Sequence, residues 1–310
     1  MDSLNRNALE LADEALEFAE QLDIGARELD NGATVVDFGH EFDGGIEAGL
    51  LLAEIQTGGL ATVQSRMCEA AGAPLQHVEV TTDHPALALL CSQKAGWEVA
   101  TDDFEGLGSG PARALVAEED EFARVGYEDV SEFAVLALES DQYPTEAIAD
   151  HVADLAGVEP GSVFLPTAPA ASVAGSVSVA ARAAEMAVFR LAELGYDPLD
   201  VVSAAGTAPV APVAGSERGA IARTNDALAY GGEVHLTVRE EFDRFEEVPS
   251  TALDEYGTHF ADIFEEVDWD FYELDESVFA PARATINVIG GDTHVVGERD
   301  DDLLAESFGI

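Results

Sequence analysis

Acidic side chains far outnumber basic ones along the whole chain: 62 Asp and Glu stand against 14 Lys and Arg in 310 residues, a formal net charge of −48. Because such a charge repels itself, a compact fold requires carboxylates on the surface and abundant counterions around it. Hydrophobic residues still make up 47%, which excludes a disordered acidic tail. The sequence therefore predicts an acid-covered globular protein adapted to molar salt. The alternative, an ordinary acidic protein, fits poorly with a chain whose single lysine is Lys94.

The charge also limits the partners and the location. A carboxylate surface repels nucleic acid and anionic lipid, so we expect neither as a partner. The N-terminal Met-Asp-Ser lacks a basic segment, and the uncharged stretch over residues 165–181 is interrupted by Pro166, Pro169 and Gly175. We therefore expect no secretion signal and no membrane span, and a cytoplasmic protein.

Neither the cysteines nor the histidines form a recognisable metal motif. Cys68 and Cys91 are too far apart in sequence for a ligand pair and read as reduced thiols, with a disulfide as the alternative. The seven histidines form no HxH, HxxxH or HExxH pattern. We expect no protein-bound catalytic metal and no prosthetic group.

The apolar residues recur with helical and strand periods in alternation along the chain, which is typical of an α/β (α+β) fold. An Asn-Gly turn at residues 31–32 marks the first hairpin. The predicted helices cover residues 5–22, 85–94, 145–156 and 178–194, and the predicted strands cover residues 28–29, 34–38, 77–82, 97–101, 131–138, 163–165, 199–203, 233–238 and 284–289.

The length favours two mixed α/β domains, expected over residues 1–166 and 167–310 with an approximate boundary that chain crossing can make discontinuous. The tetrapeptide Pro-Ala-Arg-Ala occurs at residues 111–114 and again at 281–284. It suggests an internal duplication, although coincidence explains one shared tetrapeptide equally well. Two such domains would leave a cleft between them, where small-molecule sites commonly form.

The segment SVAARAAEMAVFRLAEL at residues 178–194 places an arginine three positions before a glutamate at the edge of an apolar helix face. Arg182 and Glu185 are then either a structural ion pair or a general base held and kept ionised by a guanidinium.

Three other polar stretches are candidates for substrate contacts. The glycine-rich run at residues 106–111 either cradles an anionic group or forms a tight turn. Asp83, in TTDHP at residues 81–85, either binds substrate or caps a helix, and RTND at residues 223–226 either caps a helix or contacts a heterocycle. Lys94 complements a helix dipole or makes a contact that no other residue can make. No GxSxG motif supports a serine nucleophile.

Nine short motifs together identify a known family. They are NRNAL at 5–9, GGIEAG at 44–49, GGLA at 58–61, VTTDHP at 80–85, QKAGW at 93–97, GSGPAR at 108–113, RTND at 223–226, VFAPAR at 278–283 and ESFG at 306–309. With them the chain resembles the methenyltetrahydromethanopterin cyclohydrolases of archaeal and methylotroph one-carbon metabolism, methanogenesis included, nearly from end to end.

The resemblance implies a two-domain hydrolase, a homotrimer, that holds a pterin in the interdomain cleft and catalyses with Glu185 and Arg182. It implies substrate contacts from Thr82, Asp83, His84, Lys94, Gly108, Ser109, Gly110, Arg113, Arg223, Asn225 and Asp226. The one-carbon carrier is then a tetrahydromethanopterin-type substrate, with a folate-type carrier as the alternative. A non-catalytic module that binds a pterin or a phosphorylated ligand is the competing interpretation.

Overall fold

The computed structural model describes residues 3–101, 104–269 and 274–310. The chain divides into two compact units, each built from two pieces of sequence. The first unit contains Met1–Thr62 and Ala86–Ser178, and the second contains Val63–Pro85 and Val179–Ile310.

The helices and strands alternate in the chain, as expected for the α/β class. The helices are α1 (Leu4–Glu17), α2 (Ala19–Leu22), α3 (Ile46–Gln56), α4 (Arg113–Val116), α5 (Asp120–Val125), α6 (Glu146–Ala156), α7 (Val173–Ala180), α8 (Ala183–Glu193), α9 (Glu217–Gly231), α10 (Phe260–Glu266) and α11 (Asp301–Phe308). The strands are β1 (Gly25–Glu28), β2 (Thr34–Asp37), β3 (Thr62–Ala70), β4 (Ala73–Thr82), β5 (Trp97–Thr101), β6 (Phe104–Ser109), β7 (Ala134–Val135), β8 (Ala137–Glu139), β9 (Val163–Ala168), β10 (Val201–Pro209), β11 (Glu233–Val238), β12 (Arg283–Val288) and β13 (Thr293–Gly297).

The first unit holds a mixed sheet with the strand order β1-β2-β9-β8-β6-β5, and β7 also pairs with β9. Strands β2, β8 and β9 run parallel, whereas β1 and β5 are joined antiparallel at the two edges. Neighbouring side chains alternate between two buried clusters, because successive strand residues point to opposite faces. Val35 packs with Ile148 and Val152 of α6, and Val36 packs with Ala12 of α1 and Leu52 of α3. The sheet of this unit therefore lies between two layers of helices.

The second unit holds a mixed sheet with the strand order β13-β12-β11-β10-β4-β3. Strands β4 and β10 are antiparallel neighbours, with Gly206 opposite Val80. Helix α8 contacts β10 and β11, and α9 contacts β10, so these helices cover one face of the sheet. A further cluster, which includes Tyr230, Phe264 and Phe308, joins α9, α10 and α11.

The fold class is confirmed, and most predicted elements are present. The units differ from the predicted ranges 1–166 and 167–310 in two places. Residues 63–85 belong to the second unit, where β4 pairs with β10, and residues 167–178 belong to the first. A strand is held by its hydrogen-bonded neighbours wherever they lie in the sequence, so local pattern cannot assign it to a sheet.

Several predicted elements differ in detail. The helix expected over residues 5–22 is divided into α1 and α2, and the strand expected over residues 131–138 is divided into β7 and β8. The helix expected over residues 85–94 is a π-helix, Ala86–Gln93. The helix expected over residues 178–194 is divided, with α7 ending at Ala180 and α8 beginning at Ala183. The glycine run at residues 106–111 is for the most part strand β6 rather than a loop, because it pairs with both β5 and β8.

The two Pro-Ala-Arg-Ala tetrapeptides occupy different structures. Arg113 begins helix α4 and is fully buried, whereas Arg283 begins strand β12 and is exposed. The shared tetrapeptide therefore does not mark equivalent positions in the two units. Within the three described ranges, every helix falls short of the length and apolar character that a membrane span needs.

Candidate active site

Arg182 and Glu185 lie at the start of α8 in the second unit. Arg182 is the residue before the helix, and its backbone N–H bonds to Val179 O at 3.0 Å, which ends α7 in a tight turn. Glu185 lies in the first turn of α8. The helix dipole at this end favours a negative charge. Both side chains are buried, with only 9% of Arg182 and 6% of Glu185 exposed, so the carboxylate is not on a solvated surface.

Gly206 of β10 fixes the position of this helix start. A Cβ added at Gly206 would lie 2.6 Å from the backbone N of Ala184 and 2.9 Å from its Cβ. The strand backbone therefore packs directly against the residue before Glu185. An isolated glycine inside a strand is a signal of such close backbone approach.

The contact leads to a prediction for Gly206→Ala. The added methyl group has to displace the first turn of α8, so we expect a loss of about 1–3 kcal/mol in the free energy of unfolding. We also expect a fall in kcat of more than about tenfold, because displacement of a catalytic group by about 1 Å is costly. Denaturant titration and steady-state kinetics measure the two effects. Gly215→Ala is the matched control, since nothing lies within 4 Å of its added Cβ; equal kcat in the two variants would contradict the prediction.

Thr82, Asp83 and His84 form the turn that leaves β4. The Thr82 hydroxyl accepts a hydrogen bond from the His84 backbone N–H at 3.0 Å. Thr82 is buried and lies opposite Ala204 in the β4–β10 register, on the face that α8 covers. Asp83 and His84 are exposed. The turn therefore brings a buried hydroxyl to the same sheet face as the start of α8.

Lys94 and Arg113, predicted to bind substrate, make internal contacts in the first unit. The Lys94 ammonium lies 2.5 Å from Glu121 Oε1, and only 16% of the Lys94 side chain is exposed. Burial alone raises the pKa of Glu121, but the charge and hydrogen bond of Lys94 outweigh it and hold that pKa below its ordinary value. This ion pair keeps the single lysine of the chain close to the end of the π-helix.

The Arg113 guanidinium serves as the cap of the π-helix. Its Nη1 donates to the carbonyl oxygens of Leu90, Ser92 and Lys94 at 3.3, 3.2 and 2.7 Å. Its Nε donates to Glu119 Oε1 at 3.0 Å, and its Nη2 pairs with the other oxygen of that carboxylate. The last carbonyls of any helix lack partners within it, and here a fully buried arginine supplies them.

Ser109 and Gly110 contribute to the same cap. The Ser109 hydroxyl donates to Gln93 O at 2.6 Å, and the Gly110 N–H donates to Ser92 O at 2.8 Å. Gly108 lies inside β6, where an added Cβ would come within 3.1 Å of Leu136. These three residues and Arg113 thus have structural roles in the first unit, and their substrate contacts stay a prediction.

Arg223, Asn225 and Asp226 lie within α9 rather than at its end, so the helix-cap interpretation of RTND is wrong. Arg223 Nη1 donates to Pro212 O at 3.4 Å, and Asn225 Nδ2 donates to Ile221 O at 2.9 Å. Asp226 accepts hydrogen bonds from Phe260 N at 2.9 Å and from the Ser307 hydroxyl at 2.6 Å. Burial raises its pKa above the ordinary value in spite of these bonds. Asp226 therefore links α9 to α10 and α11.

Both cysteines are free thiols, and burial raises the pKa of Cys91 to about 12. Among the residues that the structure describes, His, Cys, Asp and Glu side chains form no group of three or more that could hold a metal ion. The expectation of a metal-free reaction is not tested by this and stays a prediction.

The two mixed units define an α/β protein of two sheets, and the second unit buries a carboxylate at a helix start. A family model described as Cyclohydrolase (MCH) matches residues 3–308. The chain therefore belongs to the cyclohydrolase (MCH) family, as its motifs indicated.

Relatives extend over the whole chain. A methenyltetrahydromethanopterin cyclohydrolase of Halobacterium salinarum is 63% identical over 310 residues, with 100% of each chain covered. One from Methanospirillum hungatei is 41% identical over 313 residues, covering 100% of this chain and 99% of the relative. One from Methanocorpusculum labreanum is 41% identical over 314 residues, covering 100% of both. The Halobacterium relative agrees with the salt adaptation predicted from the acidic composition.

Proposed function

We propose that this chain is a methenyltetrahydromethanopterin cyclohydrolase, which reversibly hydrolyses a cyclic methenyl-tetrahydropterin to its formyl form in one-carbon metabolism. The observation that carries the proposal is the burial of Glu185 in the first turn of α8, next to Arg182, in a member of the cyclohydrolase family.

The reaction needs a base that activates water, rather than a protein group that makes the substrate carbon more electrophilic. The methenyl carbon lies between two nitrogens that share a positive charge, so it is already electrophilic. Glu185 takes a proton from a water molecule while the water oxygen bonds to that carbon. One carbon–nitrogen bond of the tetrahedral adduct then breaks, the carbonyl of the formyl group forms, and Glu185 returns a proton to the departing nitrogen. The second proton of the water passes to solvent, so the hydrolysis releases one proton overall.

Arg182 acts through Glu185. Its permanent positive charge offsets the desolvation that would otherwise favour the neutral acid, and so keeps a base available. The helix start adds to this effect, because its dipole also favours the carboxylate. Both contributions act at a buried position, where screening by salt is weakest.

The remaining assignments are part of the same proposal. Asp83, Asn225 and Asp226 contact the polar edges of the pterin, and Lys94, Arg113 and Arg223 meet the anionic part of the carrier. Thr82, His84, Gly108, Ser109 and Gly110 also contact the substrate. The carrier is of the tetrahydromethanopterin type and is a substrate, with no metal or prosthetic group required. The protein is a cytoplasmic homo-oligomer, a trimer.

The test is turnover of two methenyl carriers by the purified protein in molar KCl. We expect loss of the methenyl absorbance with the tetrahydromethanopterin carrier, and a kcat/KM at least tenfold higher than with methenyl-tetrahydrofolate. A higher kcat/KM with methenyl-tetrahydrofolate would show that the carrier is of the folate type. Binding of both carriers without turnover would contradict the enzymatic activity and indicate a binding module.

A further inference from the structure

Thr82 is a polar residue on an otherwise apolar face of the second unit's sheet. It is the last residue of β4 and is only 3% exposed. It lies opposite Ala204, on the face that α8 covers. Over the paired part of β4, β10 and β11, the other positions on this face hold valine, alanine, glycine or leucine. Packing alone would favour an aliphatic side chain at position 82, so the hydroxyl needs another explanation.

The Thr82 hydroxyl has a proton to donate. Its oxygen accepts a hydrogen bond from the His84 backbone N–H at 3.0 Å, which uses a lone pair of the oxygen and not its proton. Buried hydroxyls are normally hydrogen-bonded, and a bond to an ionised acceptor is roughly twice as strong as one to a neutral acceptor. A carboxylate on the same face of the sheet would therefore be the strongest partner.

The flank of α8 that carries Glu185 faces β4. Ala184 points to the sheet, because its backbone N and Cβ lie against Gly206. In a helix of 3.6 residues per turn, Glu185 lies about 100° to one side of Ala184, and Arg190 lies about 120° to the other side. Arg190 Nε donates to Glu247 O at 3.3 Å, and the 3₁₀ turn that ends at Glu247 contacts β13. Because β13 and β4 lie on opposite sides of β10 in the strand order, Glu185 is directed towards β4.

Thr82 also lies at the level of the sheet that the start of α8 approaches. It is one register row away from Gly206, a diagonal neighbour at about 7–8 Å between Cα atoms. The chain enters β10 at Val201 soon after it leaves α8, so the helix runs back along β10 from Gly206. Glu185 therefore follows Ala184 towards the row that contains Thr82, and the two polar side chains face each other across the apolar surface.

We propose that the Thr82 hydroxyl donates a hydrogen bond to the Glu185 carboxylate and fixes its orientation towards the attacking water. Thr82 is then a positioning residue, since it acts through Glu185 and does not bond to the reacting atoms. A donated hydrogen bond favours the ionised carboxylate, which adds to the effect of Arg182. The inference rests on the proposed function and adds this role to the substrate contact expected of Thr82.

The first test removes the hydroxyl and keeps the size and the methyl group. For Thr82→Val in molar KCl with the methenyl-tetrahydromethanopterin carrier, we expect kcat to fall at least about tenfold and KM to stay within about threefold. The acid limb of the kcat–pH profile should move to higher pH by about half a unit or more, because the carboxylate loses a donor. Thr82→Ser keeps the hydroxyl and should retain kcat within about threefold. Thr81→Val is the matched control, because Thr81 is the exposed neighbour on the other face.

The second test asks whether Thr82 acts through Glu185. In the double variant Thr82→Val with Glu185→Gln, we expect kcat to stay within about twofold of that of Glu185→Gln alone. The physical reason is that a residue which only orients a base has no further effect once the base is gone, so the two losses are not additive. A residue that acts on the substrate independently would multiply its loss onto that of Glu185→Gln.

Four results would overturn the proposal. A further fall of about tenfold in the double variant would show that Thr82 acts independently of Glu185. A raised KM with unchanged kcat in Thr82→Val would leave Thr82 as a substrate contact only. An active wild type with an equally active Thr82→Val would reject the positioning role alone, whereas a wild type without turnover would reject the proposed function and this role together. Far-UV circular dichroism verifies folding; should Thr82→Val misfold, Thr82→Ala decides.

Discussion

Glu185→Gln is expected to lower kcat by about 10²- to 10⁴-fold, the range that a general base contributes. Glutamine has nearly the same shape and fits the same buried position at the start of α8, but its amide cannot take a proton from water. The proposed mechanism contains no second base that could take this proton. Loss of the methenyl absorbance in molar KCl, followed at saturating carrier, measures the effect.

The substitution should act on the chemical step alone. We expect the Kd for the carrier to change by less than about threefold, since the cationic ring is not held by this carboxylate in the proposal. Glu193→Gln is the matched control, because Glu193 is the exposed last residue of the same helix. A kcat of Glu185→Gln within a few fold of that of Glu193→Gln would contradict the catalytic role and show that Arg182 and Glu185 have a structural role only.

Arg113→Met is expected to reduce the free energy of unfolding by about 3–5 kcal/mol, the range for breaking a buried ion pair from one side. Arg113 is fully buried and satisfies the carbonyls of Leu90, Ser92 and Lys94. Methionine fills much of the volume but leaves these carbonyls and the Glu119 carboxylate without their donor. Urea titration in molar KCl measures the change.

Two further variants distinguish this role from a general effect of losing a positive charge. Arg6→Met should cost less than about 0.5 kcal/mol, because Arg6 pairs with Glu10 on the surface, where both side chains are about 70% or more exposed. The double variant Arg113→Met with Glu119→Leu should recover part of the loss, because it removes the stranded carboxylate. A loss below about 1 kcal/mol in Arg113→Met would show that the π-helix does not depend on this cap.

Elements with a regular local pattern were predicted well. The strands β2, β5 and β11 and the helix α6 lie where the sequence placed them, whereas β1 shares only Glu28 with the strand predicted over residues 28–29. Each has a turn signal or a run of apolar residues at period 2 or 3.6, and neighbours in sequence set that pattern. The family motifs likewise depend on sequence order alone.

Elements stabilised by distant contacts were predicted less well. The run at residues 106–111 contains three glycines, which indicate a turn in isolation, yet β5 and β8 pair on either side of it and hold it extended. The π-helix ends on a guanidinium that follows about twenty residues later. Sequence cannot show that Arg113 bonds to backbone carbonyls of the first unit, and its contact with the carrier stays a prediction.

The amino-acid sequence by itself determined the acid-rich surface, the α/β class and the family. Composition, local periodicity and motif order can be read without knowing which residues are in contact in the folded chain. Only the tertiary structure decided that residues 63–85 join the second sheet, that Glu185 is buried at a helix start fixed by Gly206, and that Arg113 caps a π-helix. The physical reason is that pairing, burial and hydrogen bonding join residues far apart in the chain, and these contacts exist only once it has folded.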